Sequence, residues 1–442
     1  MPTLRLPHPL ILLLACVLVA AGLTHIIPAG QYDRRLDPAT GRTIVVAGTY
    51  HRVAPAPVGP FASVIAVPRG VVAAAEVVVL ILLVGGAWTV VDKVGTLAQV
   101  VGWLVTHFGR RPQVIIALLS VAFAAGGALE NMQEEIIPLI PVLLLMGRAL
   151  GFDSVTVAAV SVGSAMVGSA FSPINPFQAA IALKLAQLPP LSGVGLRTAM
   201  LVAALTFWIV WTMRYAARTR TAPTGDAVAL GVRFDPRHGL IIALVAAPFV
   251  AYVVGSLRYG WGFNELAAGF LVAGIAIGIV GRLGLQGTVD AYLDGVRSVV
   301  AAALLVGVAR SISLVLDDGH VIDTILQALV TPLASQPPAF AALLMIPVQA
   351  VLHVPVSSVS GQAVLTMPVM IPMSDLLGIP RNASVLAYQT GAGLTEMWTP
   401  TNGAMMAVLL AAGAPFGRWI RFVVPAVVVL TVVGVVGVLI AG

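Results

Sequence analysis

NMQEEIIPLIPVLLLMGRALGFDSVTVAAVSVGSAMVGSAFSPINPFQAAIALKLAQL, residues 131–188, aligns without a gap to SVSGQAVLTMPVMIPMSDLLGIPRNASVLAYQTGAGLTEMWTPTNGAMMAVLLAAGAP, residues 358–415. Pro141 falls on Pro368, Leu150-Gly151 on Leu377-Gly378, and Ser172-Pro173-Ile174-Asn175 on Thr399-Pro400-Thr401-Asn402. Each copy places a polar, helix-breaking kink inside an otherwise apolar segment. In a membrane chain, matched interrupted helices in the two halves point to a transporter's substrate site.

The composition says membrane. The chain is 59% hydrophobic and 10% charged, with a mean hydropathy of +1.00; a soluble protein carries about 25% charged residues. Apolar runs near the roughly 20 residues needed to cross a bilayer fall around 9–27, 70–91, 194–213, 238–256, 263–282, 297–316 and 419–441. The net charge of +6 does not signal nucleic acid, because the arginines sit mostly in short loops, where they set orientation. A single cysteine, Cys16, excludes an internal disulfide and a cysteine metal cluster. Leu13-Leu14-Ala15-Cys16 resembles a lipoprotein cleavage box, and the run 9–27 imitates a signal peptide. Many more spans follow, so this run reads as an uncleaved first helix with Cys16 packed in it.

Segments 112–150 and 337–378 are each too long for one crossing and too polar in the middle. Glu130-Asn131-Met132-Gln133-Glu134-Glu135 interrupts the first; His353 to Gln362 interrupts the second. A polar tip between two short apolar arms reads as a re-entrant hairpin, tolerable only in protein or against a wet cavity. A full-length broken helix follows each, at 154–188 and 382–413. Short amphipathic stretches, 96–108 and 320–334, precede the hairpins and read as arms at the interface. The expected organisation is a first repeat over 1–213, a cytoplasmic linker over 214–237 and a second repeat over 238–442.

Lysine and arginine placement sets the orientation. With the N-terminus (Arg5) in the cytoplasm, Lys93, Arg110, Arg111, Arg148, the linker arginines, Arg282, Arg418 and Arg421 all fall inside. The C-terminus is then outside. The hairpins enter from opposite faces, and the repeats are inverted. Residues 28–59 are the misfit, carrying Arg34, Arg35, Arg42 and Arg52 on the outer side with only Asp33 and Asp37 to offset them.

The chemistry concentrates at the breaks and tips. Proline removes a backbone donor and clashes with the preceding turn. The half-helix beyond then aims N–H groups at the gap. Ser169, Ser172 and Asn175 in the first break, and Thr399, Thr401 and Asn402 in the second, add neutral donors and acceptors. The competing reading is an ordinary proline kink; two at matching positions favour a binding site. Ser169, Asn175, Thr399 and Asn402 also make a candidate sodium position. Carboxylates at membrane depth are costly and usually functional. Glu130, Glu134, Glu135 and Glu396 therefore stand out, with Glu134 and Glu135 read as two adjacent acids facing one cavity. They would bind a cationic substrate, coordinate sodium or hold a coupling proton. Arg310, deep in its span, is a candidate partner for a substrate carboxylate, or else snorkels or pairs with Asp317. Lys184 reads as a snorkelling residue and His353 as a candidate proton relay. Asn131 and Ser358 complete the tips.

Nothing signals an enzyme. H-E-x-x-H is absent, Asp317-Asp318 lacks the glycine-flanked pattern of a membrane aspartyl protease, and Ser360-Gly361 has no base nearer than His353. With no Walker or dinucleotide motif, the energy source is an ion gradient, of sodium or protons, or substrate exchange.

The stretches HPLILLLACVLVAAGLTHIIPAGQYDR (8–34), EEIIPLIPVLLLMGRALGFDS (134–154), INPFQAAIALKLAQLPPLSGVGLR (174–197) and SGQAVLTMPVMIPMSDLLGIPR (360–381) resemble the YfcC/DcuC-type carriers of the ion-transporter superfamily. The resemblance spans nearly the whole chain. It implies an inverted-repeat fold with a scaffold and a mobile transport domain, elevator-type motion and a homodimer. Members are described as basic amino acid exchangers or C4-dicarboxylate carriers. By motif, Asn175 and the Ser360-Gly361-Gln362 tip would be binding elements. The chain departs from the family at Gly391-Ala392-Gly393-Leu394-Thr395-Glu396, where G-D-G-F-T-N is common: an acid is lost at 392 and one appears at 396. The expectation is an all-α polytopic secondary transporter in a bacterial-type inner membrane, without a cofactor. Its expected substrate is a basic amino acid of the arginine or ornithine kind. The alternatives are a dicarboxylate or other organic anion carrier, and a passive channel.

Overall fold

A computed structural model describes residues 8–38, 41–108, 111–222, 235–259 and 261–442. The first half opens with α1 (Pro9–Ile26) and four short strands, β1 (Gly30–Gln31), β2 (Arg34–Asp37), β3 (Arg42–Val45) and β4 (His51–Arg52). Next come α2 (Pro60–Ala73), α3 (Ala75–Lys93), α4 (Thr96–Phe108) and α5 (Pro112–Glu130). A 3₁₀ segment, Glu134–Leu139, leads into α6 (Ile140–Leu150). The first broken helix is α7 (Ser154–Ala158), α8 (Ser164–Phe171) and α9 (Ile181–Leu185), with π-turns at Ala159–Gly163 and Pro176–Ala180; α10 (Val194–Thr219) closes the half. The second half runs α11 (Pro236–Tyr259), α12 (Phe263–Val280), α13 (Gly284–Asp318), α14 (Ile322–Val330), α15 (Pro338–His353) and α16 (Val359–Leu377). It ends with α17 (Arg381–Thr395), α18 (Gly403–Ala411) and α19 (Phe416–Ala441).

Among the described residues, eight helices are long and apolar enough to cross a membrane, counting 154–185 as one. The chain is a mostly helical, multi-pass membrane protein. Lipid offers the backbone no partners, so each span satisfies its own N–H and C=O groups as a helix. The sequence-level repeat has matching local structure. Gly151 and Gly378 both end a helix in the left-handed conformation, φ 77° and 71°. The N–H of the next residue reaches back in both, Phe152 to the Gly147 carbonyl at 2.7 Å and Ile379 to the Ser374 carbonyl at 2.8 Å. Glycine is used there because a Cβ is strained at positive φ. The opening arms pack on the broken helices, α5 on α8 and α15 on α17. Those contacts are backbone-close: a Cβ on Gly127 or Gly168 would overlap the Ala165 or Ala124 carbonyl, and one on Gly391 the Ile346 carbonyl. Small residues allow such approach between membrane helices.

Four expectations need adjustment. The apolar run 70–91 is two helices meeting at Ala74, with Gly70 of α2 packed closely on Gly307 of α13. Residues 214–237 are not all linker: α10 continues to Thr219 and α11 begins at Pro236. Residues 223–234, Arg5 and Arg110 lie outside the described residues. The segment 28–59 is not plain loop but two antiparallel strand pairs, with Gly30 opposite Arg52 and Arg34 opposite Val45. Its arginines are not balanced by Asp33 and Asp37 alone. Arg34 pairs with buried Asp323 on α14 at 3.0 Å, and the Tyr32 N–H donates to the same carboxylate at 2.9 Å. Finally, Asp318 pairs with Arg69, and Arg310 makes no ion pair within 4.0 Å among the described residues, although its charge reaches Asp317.

A separate apolar core joins α3, α11, α12 and α13 through residues such as Leu80, Val84, Phe270 and Tyr292. Cys16 is half-buried in α1, as expected of a packed side chain. Lys184 is exposed in the last turn of α9.

Candidate functional site

Both tips and the second break open onto one cavity of about 290 Å³. Glu130, Asn131, Gln133 and Glu134 line it from the first tip, Ser357, Ser358 and Ser360 from the second, and Glu396, Asn402 and Gly403 from the second break. Phe177 represents the first broken helix, and Val306, Ala309 and Arg310 form the α13 wall. Ala73 and Ala74 line it at the α2–α3 junction. Three carboxylates therefore share the cavity with one guanidinium.

The first tip is built by local rules. Asn131 ends α5 in the left-handed conformation, φ 56°, which asparagine tolerates better than most residues. Its Oδ1 accepts from the Ser169 hydroxyl, whose oxygen in turn accepts from Gln178 Nε2 at 2.6 Å. Glu134 and Glu135 start the 3₁₀ segment and diverge. Glu134 lines the site, whereas Glu135 is buried, accepts from the Gln133 N–H at 3.1 Å and faces a second, apolar cavity beside Phe249, Tyr252 and Leu266. The expectation of two adjacent acids facing one cavity is thus corrected: consecutive side chains on a 3₁₀ turn point about a third of a revolution apart.

The two breaks have different jobs. Asn175 is fully buried, away from the cavity lining; its Oδ1 caps the following half-helix by accepting from Phe177 and Gln178 N–H, both at 2.9 Å. Its Nδ2 donates to the Gly127 carbonyl at 2.8 Å. Ser172 is likewise internal, donating to the Ala128 carbonyl at 2.8 Å and accepting from the Asn175 N–H at 2.9 Å. Asn402 caps α18 in the same way, through the Met405 N–H at 2.9 Å, yet also lines the cavity. Thr399 and Thr401 are buried and hydrogen-bond each other at 2.8 Å. The candidate sodium ligands are thus already engaged with protein partners: Ser169 with Asn131 and Gln178, Asn175 and Asn402 as caps, Thr399 with Thr401. Tryptophan donors reach carbonyls of both broken helices: Trp208 Nε1 to the Ala159 carbonyl at the first π-turn, at 3.0 Å, and Trp419 Nε1 to the Met397 carbonyl at the second break, at 2.8 Å.

In the second tip, Ser358 caps α16, accepting from the Gly361 N–H at 3.3 Å, so Ser360, Gly361 and Gln362 are helical rather than loop. Gly361 and Gln362 do not line the cavity. Gln362 donates to Gln349 and holds His353 from behind, at 2.8 Å. His353 is fully buried, 3.9 Å from Glu396.

Sequence reasoning missed Gln133 as a site residue. Its Nε2 donates to Glu396 Oε2 at 2.8 Å and its Oε1 accepts from Asn402 Nδ2 at 3.3 Å, tying the first tip to the second break. It also missed Arg197, buried in α10, which donates to Gln389 at 2.8 Å; Gln389 in turn donates to the Ser172 carbonyl at 2.9 Å. The α2–α3 junction carried no signal, because Val-Val-Ala-Ala-Ala has no breaker.

The chain matches the DcuC family, described as C4-dicarboxylate anaerobic carriers, over residues 6–442. It is 29% identical to "Uncharacterized protein" of Haemophilus influenzae, over 98% of this chain and 96% of that one. It is also 29% identical to the Escherichia coli protein named "Putative basic amino acid antiporter YfcC", over 95% of this chain and 93% of that one. Among solved structures, the Alcanivorax borkumensis YdaH transporter superposes with a TM-score of 0.45 and 18% identity, covering 98% of both chains. The chain belongs to the DcuC carrier family; it is a membrane transporter, in a family of carriers and not enzymes.

Proposed function

We propose that this carrier moves a basic amino acid of the arginine or ornithine kind, by exchange or ion coupling, and that the cavity of Glu130, Glu134, Glu396 and Arg310 is its substrate site. The observation that carries the reading is the charge of the lining: three carboxylates against one guanidinium. At about 290 Å³ the cavity suits a small metabolite, at the low end of ligand pockets. A zwitterion with an extra cation has one carboxylate for Arg310 and two cationic groups for the acids. A free dicarboxylate would bring two more negative charges to an already acidic site. The name of the Escherichia coli relative points the same way.

The dicarboxylate reading stays second. The family description favours it, as does Arg310 lining the cavity without an ion-pair partner within 4.0 Å among the described residues. Thermal unfolding of the purified protein separates the two, since a ligand stabilises the state it binds. L-Arginine or L-ornithine should raise Tm, and succinate and fumarate should not. Glu134→Gln and Glu396→Gln should each weaken arginine binding by more than the roughly 1 kcal/mol expected of an exposed pair. Stabilisation by succinate, insensitive to those changes but lost in Arg310→Ala, reverses the assignment. Counterflow in proteoliposomes distinguishes a carrier from a channel, because only a carrier speeds uptake from the opposite side.

The architecture belongs to the same proposal: two inverted repeats, 1–213 and 238–442, in an inner membrane, with α3, α11, α12 and α13 as scaffold and the hairpins and broken helices as a moving unit, in a homodimer. The separate scaffold core and the matched glycine and asparagine caps support it. Cysteines at Arg111 and at exposed Leu376, in a Cys16→Ser background, should label from the cytoplasm and from outside, respectively. Labelling of both from one face sinks the inverted arrangement.

A further inference from the structure

Behind the cavity wall lies His353, facing the cavity-lining Glu396 in a contact that substrate binding does not explain. Glu396 uses one oxygen, Oε2, to accept from Gln133 at 2.8 Å. The other, Oε1, faces His353 Nε2 at 3.9 Å. His353 is fully buried, and its Nε2 has no hydrogen-bond partner.

The tautomer of His353 follows from its surroundings. The Gln362 amide donates to both the side-chain and the backbone oxygen of Gln349, each at 2.7 Å. Its own oxygen therefore faces His353 Nδ1 at 2.8 Å. An acceptor there requires a proton on Nδ1, and in the neutral ring this leaves a lone pair on Nε2. An ionised Glu396 would then set lone pair against lone pair in a dry setting, where unpaired polar groups are costly. At 3.9 Å the two atoms are beyond hydrogen-bond distance, and one proton, on Oε1 or Nε2, relieves the opposition of their lone pairs.

We propose that Glu396 and His353 jointly hold one exchangeable proton, and that this proton is the ion coupled to transport. The inference rests on the cavity beside them being the substrate site. Glu396 lines that cavity; His353 does not. A substrate cation arriving at Glu396 competes with the proton for the same carboxylate. The exchange balances as follows: the protonated pair plus a cationic substrate gives the ionised carboxylate paired with that cation, and one proton leaves to water. Release of substrate on the other side restores the proton. This is antiport of a proton against a cationic solute.

Other groups that tune the pair are limited. Glu130 and Glu134 face the cavity from the first tip, and Arg310 faces it from α13. Tyr388, on the Glu396 helix, donates its hydroxyl to the Val359 carbonyl. Neither α8 nor α18 has a charged side chain, and α16 and α19 carry theirs only near their ends, at Asp375, Arg418 and Arg421.

Infrared difference spectra of the purified protein, titrated with pH and without substrate, test the pair directly. A protonated-carboxyl band should appear on acidification and vanish in Glu396→Gln. In His353→Gln its transition should move by roughly tenfold in proton concentration, the scale of one hydrogen bond to a charged group. Gln362→Met, which frees the tautomer, should move it too and serves if His353→Gln does not fold. A Glu396 band unmoved by both changes, or no such band, overturns the pair. Proton release on adding L-arginine, read by a pH dye in weak buffer, tests the coupling. Arginine binding without proton release overturns the coupling. Failure of arginine to bind at all overturns the substrate reading, and the infrared titration still decides the pair.

Discussion

Gly127→Val and Gly168→Val are each expected to abolish the folded protein in detergent extracts. The two glycines face each other's helix across the α5–α8 contact. A Cβ on either overlaps a backbone carbonyl, Ala165 for Gly127 and Ala124 for Gly168. A flexible side chain could swing away; a backbone carbonyl moves only if the helices separate. Separation would break the Asn175–Gly127 and Ser172–Ala128 hydrogen bonds that anchor the first break to α5. Losses of this kind exceed about 4 kcal/mol, against a total stability of roughly 5–15 kcal/mol. Gly22→Val and Gly195→Val are the controls, since a Cβ at either meets nothing within 4 Å. Monodispersity on gel filtration and Tm give the readout. A Gly127→Val protein that melts like the wild type would show the close packing to be wrong.

Gln133→Leu should fold and lose substrate affinity. Leucine has a similar volume but neither the donor that Glu396 Oε2 receives nor the acceptor that Asn402 uses. Losing a hydrogen bond to a charged group costs about 1.5–3 kcal/mol, so arginine should bind roughly 10–150-fold more weakly. Asn175→Ala makes the contrast. It removes four side-chain hydrogen bonds, two of them the helix cap, away from the cavity lining, so it should lower Tm while arginine affinity in the surviving folded fraction holds. An unchanged Kd in Gln133→Leu, or a lost one in Asn175→Ala, would exchange the roles assigned to the two tips and breaks. Isothermal titration with L-arginine measures both.

The readings that held and those that changed differ in range. The proline-initiated breaks at 173 and 400 follow rules of a few neighbouring residues, whereas Asn175 and Asn402 were read as binding groups and their capping role came from the structure. The breaks were legible from the chain. The α2–α3 junction was not, because no residue between Val71 and Glu76 breaks a helix. The strand pairs in 28–59 were missed because short strands in a polar stretch owe their order to neighbours, here Asp323 on α14.

By itself, the sequence determined the membrane class, the two matched halves and the segments that must be irregular, because hydropathy, repeat offset and backbone breakers act locally. Only the tertiary structure decided which side chains share a cavity. Glu134 and Glu135 are neighbours, yet they face different cavities. Gln133 and Glu396 are 263 residues apart in the chain, yet they hydrogen-bond. Asn175 and Asn402 occupy equivalent positions in the repeat, yet only Asn402 lines the cavity. Equivalent positions share a local conformation, but what each side chain faces depends on the elements packed around it, and those differ between the halves.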